Sequence, residues 1–190
     1  EVDPEGKIYR LDGYFTNTIL KETTIDDNYL KDTIFYGDSI TENLAYYKNI
    51  PYENIWAVSN LTPVNAFTWN VMFYKYNEKI NIIDGFNKYK PKRVIVTLGA
   101  NAVAIMDKNY FISEYERLVK SLKEASPNTE LIIQSIFPVD DRWDYSINSI
   151  NNTKINNINY LMFEECDDIY INRISKKIQF KDFEQFIKSN

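Results

Sequence analysis

Short apolar segments alternate with segments of helical periodicity along most of this chain, and this alternation restricts the folds that it can adopt. A short run of apolar and β-branched residues is typical of a strand that is covered on both faces, as in parallel sheets. Parallel neighbours require crossover connections, which are usually helices. The apolar runs predict strands at residues 34–36, 55–58, 93–98, 131–136 and 168–172.

Amphipathic segments lie between the predicted strands and supply these crossovers. Right-handed crossovers through such helices predict an α/β protein with a parallel sheet in a three-layer α/β/α sandwich. Apolar residues at helical spacing predict helices at residues 40–47, 80–89, 110–125, 150–163 and 183–187.

Residues 59–76 have no clean periodicity but are rich in aromatic residues. Two interpretations of these side chains stay open. They line a ligand pocket, or they fill the core, which is the commoner role of aromatic residues in a loop. The residues concerned are Phe67, Trp69, Phe73, Tyr74 and Tyr76.

The first 32 residues differ from the rest of the chain. Residues 1–32 are polar and acidic without a regular pattern, and we interpret them as an extended arm that packs across the domain. Residues 33–190 contain no linker rich in Pro, Gly or Ser. Since 44% of the 190 residues are hydrophobic, the chain has enough apolar side chains for one core. A single globular domain is therefore predicted.

Charge and residue content exclude several classes of function. A net charge of −5 argues against nucleic-acid binding, and no apolar run is long enough to span a membrane. The only cysteine, Cys166, allows neither an internal disulfide nor a zinc site. Acidic doublets at residues 26–27, 140–141 and 167–168 lack the ligand spacing of a calcium loop. We therefore expect no cofactor and no metal.

Residues 33–42 combine a strand-type run, a Gly-Asp-Ser turn and the start of a helix. Gly37 allows a tight turn, and Ser39 follows at the carboxyl end of the strand, where open α/β sheets bind their ligands. Ser39 is therefore a candidate nucleophile, although a serine after a strand also serves as a helix N-cap. The third predicted strand likewise ends in glycine, so Asn101 is expected at the same edge as a partner for Ser39.

The chain contains no histidine. This absence removes both the commonest general base and the commonest metal ligand. A serine nucleophile needs a neighbouring group that accepts its proton, so a hydrolytic function requires a different activating group.

Four blocks of sequence together carry a family resemblance. Residues 25–42 contain GDSIT, residues 96–101 read VTLGAN, residues 132–139 read IIQSIFPV and residues 152–156 read NTKIN. Their order and spacing resemble the GDSL/SGNH hydrolases of Gram-positive bacteria over nearly the whole chain. The resemblance implies the SGNH-hydrolase fold with a flavodoxin-like five-stranded parallel sheet, for which we expect the strand order 2-1-3-4-5. In active members it implies ester hydrolysis or acyl transfer on lipids or acetylated carbohydrates.

The resemblance also implies roles for single residues. Ser39 falls on the family's nucleophile, whose backbone N–H belongs to the oxyanion hole, and Asn101 falls on the Asn that donates its side-chain amide there. Asn60 stands where the family has a glycine that donates a backbone N–H. The family's last Asp and His correspond to Lys176 and Gln179, so the chain resembles a degenerate member that lacks the catalytic histidine.

The substitution at Gln179 decides which function we expect. A neutral amide cannot take a proton from a serine hydroxyl at useful pH. We therefore expect a catalytically inactive SGNH-hydrolase-like domain with a binding or structural role at the bacterial cell surface, outside the cell or attached to its envelope. Its expected partner is a protein or a cell-envelope carbohydrate.

Two enzymatic alternatives stay open. One is a weak serine esterase or O-acetyltransferase that acts on cell-envelope carbohydrate or lipid esters, with Lys176 as an unusual base for Ser39. The other is an enzyme that is completed by a histidine from another chain.

Overall fold

A six-stranded sheet lies at the centre of the structure, a computed structural model that describes residues 27–140 and 150–165. Its strands are β1 (Thr33–Gly37), β2 (Ile55–Ala57), β3 (Asn70–Phe73), β4 (Glu78–Asn81), β5 (Arg93–Thr97) and β6 (Glu130–Ile133). Their spatial order is β4-β3-β2-β1-β5-β6. The pairs among β2, β1, β5 and β6 are parallel, whereas β3 pairs in antiparallel fashion with both β2 and β4.

Helices cover both faces of this sheet. The α-helices of the described residues are α1 (Asp27–Lys31), α2 (Ser39–Tyr46), α3 (Ile82–Tyr89), α4 (Ala100–Val103), α5 (Lys108–Ala125) and α6 (Asn152–Glu165). Helix α2 packs against β1 and β2 on one face, and α3, α5 and α6 form the layer on the other. The three layers confirm the predicted sandwich. Within the described ranges, no helix is both long enough and apolar enough to cross a membrane.

Four predicted strands form the parallel part of the sheet. The first four correspond to β1, β2, β5 and β6, and their spatial order, 2-1-3-4, is the predicted one. The central strand β1 pairs with two neighbours, so that Gly37 lies between Ala57 and Thr97. The fifth predicted strand, at residues 168–172, and the closing helix at residues 183–187 lie outside the described residues.

The antiparallel pair of β3 and β4 corrects the expectation of a wholly parallel sheet with an irregular segment at residues 59–76. β3 alternates buried Val71 and Phe73 with more exposed neighbours over only four residues, which is too short a pattern to recognise. β4 is a mostly polar edge strand, and the side chain of Asn81 at its end caps α3. Helix α3 therefore begins after this cap and not at residue 80.

Residues 27–31 correct the expectation of an extended arm over residues 1–32, since they form the short helix α1. A tertiary contact with β5 holds this helix in place. The guanidinium carbon of Arg93 lies 3.5 Å from the ring centroid of Tyr29. A contact between residues so far apart in the chain leaves no local sequence signal. The remainder of the predicted arm, residues 1–26, lies outside the described residues.

The aromatic residues that follow β2 differ in burial. Phe73 is fully buried, and its ring centroid lies 4.2 Å from that of Trp56, so it fills the core. Phe67 is partly buried and packs against the same core. Trp69 and Tyr76 are each 40% exposed. The expectation of core filling thus holds for Phe73 and Phe67 but is wrong for Trp69 and Tyr76.

Two asparagines of α6 hold the chain segment that follows β6. The Asn159 side chain donates to the carbonyl oxygen of Ile136 at 2.9 Å and accepts from its N–H at 2.8 Å. Asn152 forms the same pair of hydrogen bonds with Val139, at 2.8 and 2.9 Å. These side chains take the place of a neighbouring strand, because they satisfy backbone groups that need partners when buried. The segment is thereby fixed to the helix layer.

Replacement of Gly85 tests how α3 packs on the sheet. A Cβ at Gly85 would overlap the buried ring of Phe73, and this clash outweighs the gain of about 1 kcal/mol that alanine usually brings to a helix. We expect Gly85→Ala to lower the free energy of unfolding, measured in urea, by about 1–3 kcal/mol. Phe73→Leu should recover part of this loss in a double-mutant cycle, and strictly additive effects would contradict the contact.

Candidate active site

The Gly-Asp-Ser turn joins β1 to α2 at the carboxyl edge of the sheet. Asp38 is the N-cap of α2, and its Oδ1 accepts a hydrogen bond from the N–H of Ile40 at 2.9 Å. Ser39 is the first residue of the helix, so the capping role considered for Ser39 belongs to Asp38. The Ser39 side chain is half-buried, and none of the described residues forms a hydrogen bond with its hydroxyl.

Gly37 lies where the first turn of α2 approaches the sheet most closely. An added Cβ would overlap both the Thr41 hydroxyl oxygen and the carbonyl oxygen of Thr97. Only glycine fits between these atoms without a shift of the backbone. The position of Ser39 relative to β1 and β5 therefore depends on this glycine.

The Asn101 side chain connects the loops at this edge. Asn101 lies in α4, after Gly99, whose φ of 136° is a conformation that favours glycine. The amide nitrogen of Asn101 donates to Asp38 Oδ2 at 2.9 Å and to the Leu61 carbonyl oxygen at 3.3 Å. An amide nitrogen carries two hydrogens, so both of its donors are engaged.

Asn60 has a backbone conformation that usually belongs to glycine. Its φ of 63° lies in the left-handed region, which asparagine adopts more readily than most residues. Asn65 holds the turn, because its Nδ2 donates to the Asn60 carbonyl at 3.1 Å and its Oδ1 accepts from the Thr62 N–H at 2.7 Å. A glycine-type loop is therefore compatible with asparagine at this position.

Three of the candidate positions lie at one edge of the sheet. The Asn101 amide bonds to Asp38, which precedes Ser39, and to Leu61, which follows Asn60. Parallel pairing of β1 with β2 and β5 produces this arrangement, because the three strands end on the same side.

The remaining two candidate residues, Lys176 and Gln179, lie outside the described residues. Their correspondence to the family's Asp and His stays a prediction. In residues 27–140 and 150–165, no group of three or more histidine, cysteine or acidic side chains is placed to hold a metal ion.

Asp38 is a further member of the site, although it is neither a nucleophile nor an oxyanion donor. The residue is 1% exposed, and burial raises the pKa of its carboxyl, although the hydrogen bond from the Ile40 N–H opposes this rise. The hydrogen bond from Asn101 satisfies its second oxygen. An aspartate directly before a helical segment is an N-cap signal, so the sequence does contain a sign of this role.

Glu42 lies one helical turn after Ser39 and accepts two hydrogen bonds. The Tyr74 hydroxyl donates to its Oε1 at 2.8 Å, and the Ser59 hydroxyl donates to its Oε2 at 3.4 Å. Burial, together with the bond to Glu42, raises the pKa of Tyr74 to about 12. The sequence gives no sign of these contacts, since the partners come from other elements of the fold.

No protein-family model and no curated protein sequence matches this chain. Solved structures match its fold. A protein described as a platelet activating factor from Streptococcus pneumonia has a TM-score of 0.53 and 18% identity, over 74% of this chain and 64% of that one. A GDSL-like lipase from Bacteroides thetaiotaomicron has a TM-score of 0.51 and 16% identity, over 78% and 70% of the two chains. An acetyl xylan esterase has a TM-score of 0.50 and 16% identity, over 83% and 82%.

These similarities establish the fold, which is the α/β/α sandwich shared by GDSL-like lipases and esterases of this type. The chain spans less than two thirds of the length of the pneumococcal protein, because it covers 64% of that chain. The fold therefore agrees with the one that the resemblance implies, with the added antiparallel pair of strands.

Removal of the Asn101 amide tests its connecting role. We expect Asn101→Ala to lower the free energy of unfolding by about 1–3 kcal/mol, because the buried Asp38 carboxyl and the Leu61 carbonyl each lose a donor. Urea denaturation measures this change. Asn109→Ala, at an exposed position of α5, is the control and should change the unfolding free energy by less than about 0.5 kcal/mol. Equal effects of the two substitutions would show that the amide does not hold the loops together.

Proposed function

We propose that this chain is a catalytically inactive domain with the fold of GDSL-type esterases. In this proposal it has a binding or structural role at the bacterial cell surface, outside the cell or attached to its envelope. Its partner is a protein or a cell-envelope carbohydrate.

The engaged amide of Asn101 is the observation that carries this proposal. An oxyanion hole needs N–H donors that point at the developing negative charge. The Asn101 amide already donates at 2.9 Å to Asp38 and at 3.3 Å to Leu61, so an oxyanion would have to compete with these bonds. Loss of one oxyanion donor typically lowers turnover by about 10²–10³.

The surroundings of Ser39 among the described residues support the same proposal. The chain has no histidine, and no described residue accepts a hydrogen bond from the Ser39 hydroxyl. The carboxylates of Asp38 and Glu42, which are close to Ser39 in the chain, are engaged by other donors. In a serine protease, loss of the catalytic base alone costs about 10⁶ in turnover.

A second candidate function is a weak serine esterase or O-acetyltransferase that acts on cell-envelope carbohydrate or lipid esters. The left-handed backbone of Asn60 favours it, because the loop can still present the N–H that a glycine would present. Lys176, or a histidine of another chain, would then supply the base. A GDSL-like lipase and an acetyl xylan esterase share the fold, and this is compatible with either class of ester.

The reactivity of Ser39 separates the two functions. We expect a fluorophosphonate probe to leave Ser39 unlabelled, because the chain has no histidine and none of the described residues accepts a hydrogen bond from the Ser39 hydroxyl. We also expect the chain to hydrolyse nitrophenyl acetate no faster than its Ser39→Ala variant. Intact-protein mass spectrometry and absorbance measure these results, with Ser113→Ala, at an exposed position of α5, as the matched control.

Two outcomes would contradict inactivity. Stoichiometric labelling of Ser39, together with hydrolysis that only Ser39→Ala abolishes, would establish the esterase. Labelling that requires an added cell-envelope fraction would indicate that another chain completes the site.

Restoration of the family's last two residues tests whether only the base is missing. We expect Gln179→His with Lys176→Asp to give at most trace activity, because the Asn101 amide stays engaged. Groups that act together contribute non-additively, and a misplacement of about 1 Å can cost about 10² in rate. Addition of Asn60→Gly should not change this result. If the double variant alone reached the turnover of an active esterase, the proposal of a binding domain would lose its main support.

A further inference from the structure

A surface groove runs between α3 and α5, on the helix layer opposite to α2 and the Ser39 turn. Its volume is about 470 Å³, within the range of about 300–1,000 Å³ that is typical of small-ligand sites. Arg117 and Ser121 lie one turn apart on α5, and Ile83 and Asn87 lie one turn apart on α3. Each helix therefore presents one face to the groove. Six of the seven lining residues belong to these two helices, and the seventh, Phe67, lies in the segment between β2 and β3.

The floor of the groove is apolar. Phe67, Ile83 and Ala125 line it, and all three are partly buried side chains that also pack against the core. Phe67, one of the aromatic residues of the segment 59–76, both packs against the core and lines the groove. Because the core supports the floor from below, its shape is fixed before any ligand binds.

The rim of the groove carries polar side chains that are open to solvent. Asn87, Ser121 and Glu124 line it, and none of the described residues forms a hydrogen bond with these side chains. Arg117 is held in place, since its guanidinium carbon lies 3.9 Å from the ring centroid of Phe67. Its Nη1 donates to Glu114 Oε2 at 2.9 Å, which leaves its other N–H groups for a ligand.

The combination of rim and floor selects one class of ligand. Arg117 only donates, Glu124 only accepts, and Asn87 and Ser121 do both. An anion in the groove would meet Glu124, a cation would meet Arg117, and a purely apolar ligand would form no hydrogen bonds with the rim. A pyranose ring matches instead, because each hydroxyl both donates and accepts while its C–H face rests on apolar side chains.

We propose that the groove between α3 and α5 binds one or two sugar rings of a neutral glycan. This inference rests on the proposed function, because it makes carbohydrate the ligand of the binding domain. It does not use Ser39, Asn60 or Asn101, so the two proposals can fail separately.

Titration of the ¹⁵N-labelled full chain with cellobiose, xylobiose and N,N′-diacetylchitobiose tests the glycan site. We expect at least one disaccharide to shift amide signals of the groove residues. Ser121→Trp, which fills the groove, should raise the dissociation constant at least about tenfold, and Asn87→Ala, which removes one hydrogen-bonding group, about 3–10-fold. Lys120→Trp is the matched control, because it places the same ring on the preceding residue of α5, which is exposed, and should leave affinity unchanged.

Several results would overturn the glycan site. These are the absence of shifts with all three disaccharides, shifts outside the groove, or an affinity that neither Ser121→Trp nor Asn87→Ala reduces. If Ser121→Trp does not fold, as its amide spectrum will show, Asn87→Ala alone decides. If a neutral tripeptide shifts the amide signals of the groove and none of the sugars does, the groove binds peptides and the proposal is refuted. Ser39→Ala should bind sugar like the unaltered chain, so a reactive Ser39 would refute catalytic inactivity without affecting this result.

Discussion

Strand β1 pairs in parallel with β2 on one side and with β5 on the other, and the candidate site depends on this arrangement. Parallel strands end on the same side of the sheet, so the loops that follow these three strands meet at one edge. Because these loops are adjacent, the Asn101 amide nitrogen donates hydrogen bonds to Asp38 Oδ2 at 2.9 Å and to the Leu61 carbonyl oxygen at 3.3 Å. The lack of a side chain at Gly37 lets α2 approach that edge closely enough to bring Ser39 there.

The bonds that assemble this edge also bear on its chemistry. Asp38 caps α2 and accepts from Asn101, and Glu42 accepts from Tyr74, so these groups already have partners within the fold. A catalytic site needs groups that find their best partner only in the transition state. The use of the Asn101 amide to hold loops together is therefore our main reason to favour binding over catalysis.

The face of the sheet that α3 and α5 cover carries the groove. Trp56 and Phe73 fill the core beneath α3, and Phe86 of this helix packs on Trp56. The absence of a side chain at Gly85 lets the ring of Phe73 pack against α3. With α3 and α5 fixed over this core, the groove between them has a firm apolar floor. The groove therefore lies in the helix layer of α3 and α5, whereas Ser39 lies at the carboxyl edge of the sheet, where α2 begins. The two places are separate, so each can have its own ligand.

The sequence by itself determined the four parallel strands and the placement of Ser39 and Asn101 at one edge, because short buried runs, two of which end in glycine, are local patterns. The order of the strands followed from the family resemblance. Only the tertiary structure decided the β3–β4 pair, helix α1, the engagement of the Asn101 amide and the groove. Asn101 bonds to a carbonyl 40 positions away in the chain, and Arg117 stacks on Phe67 from another element. Such contacts join residues that are distant in sequence, and no local periodicity records which distant partner a side chain meets when the layers pack.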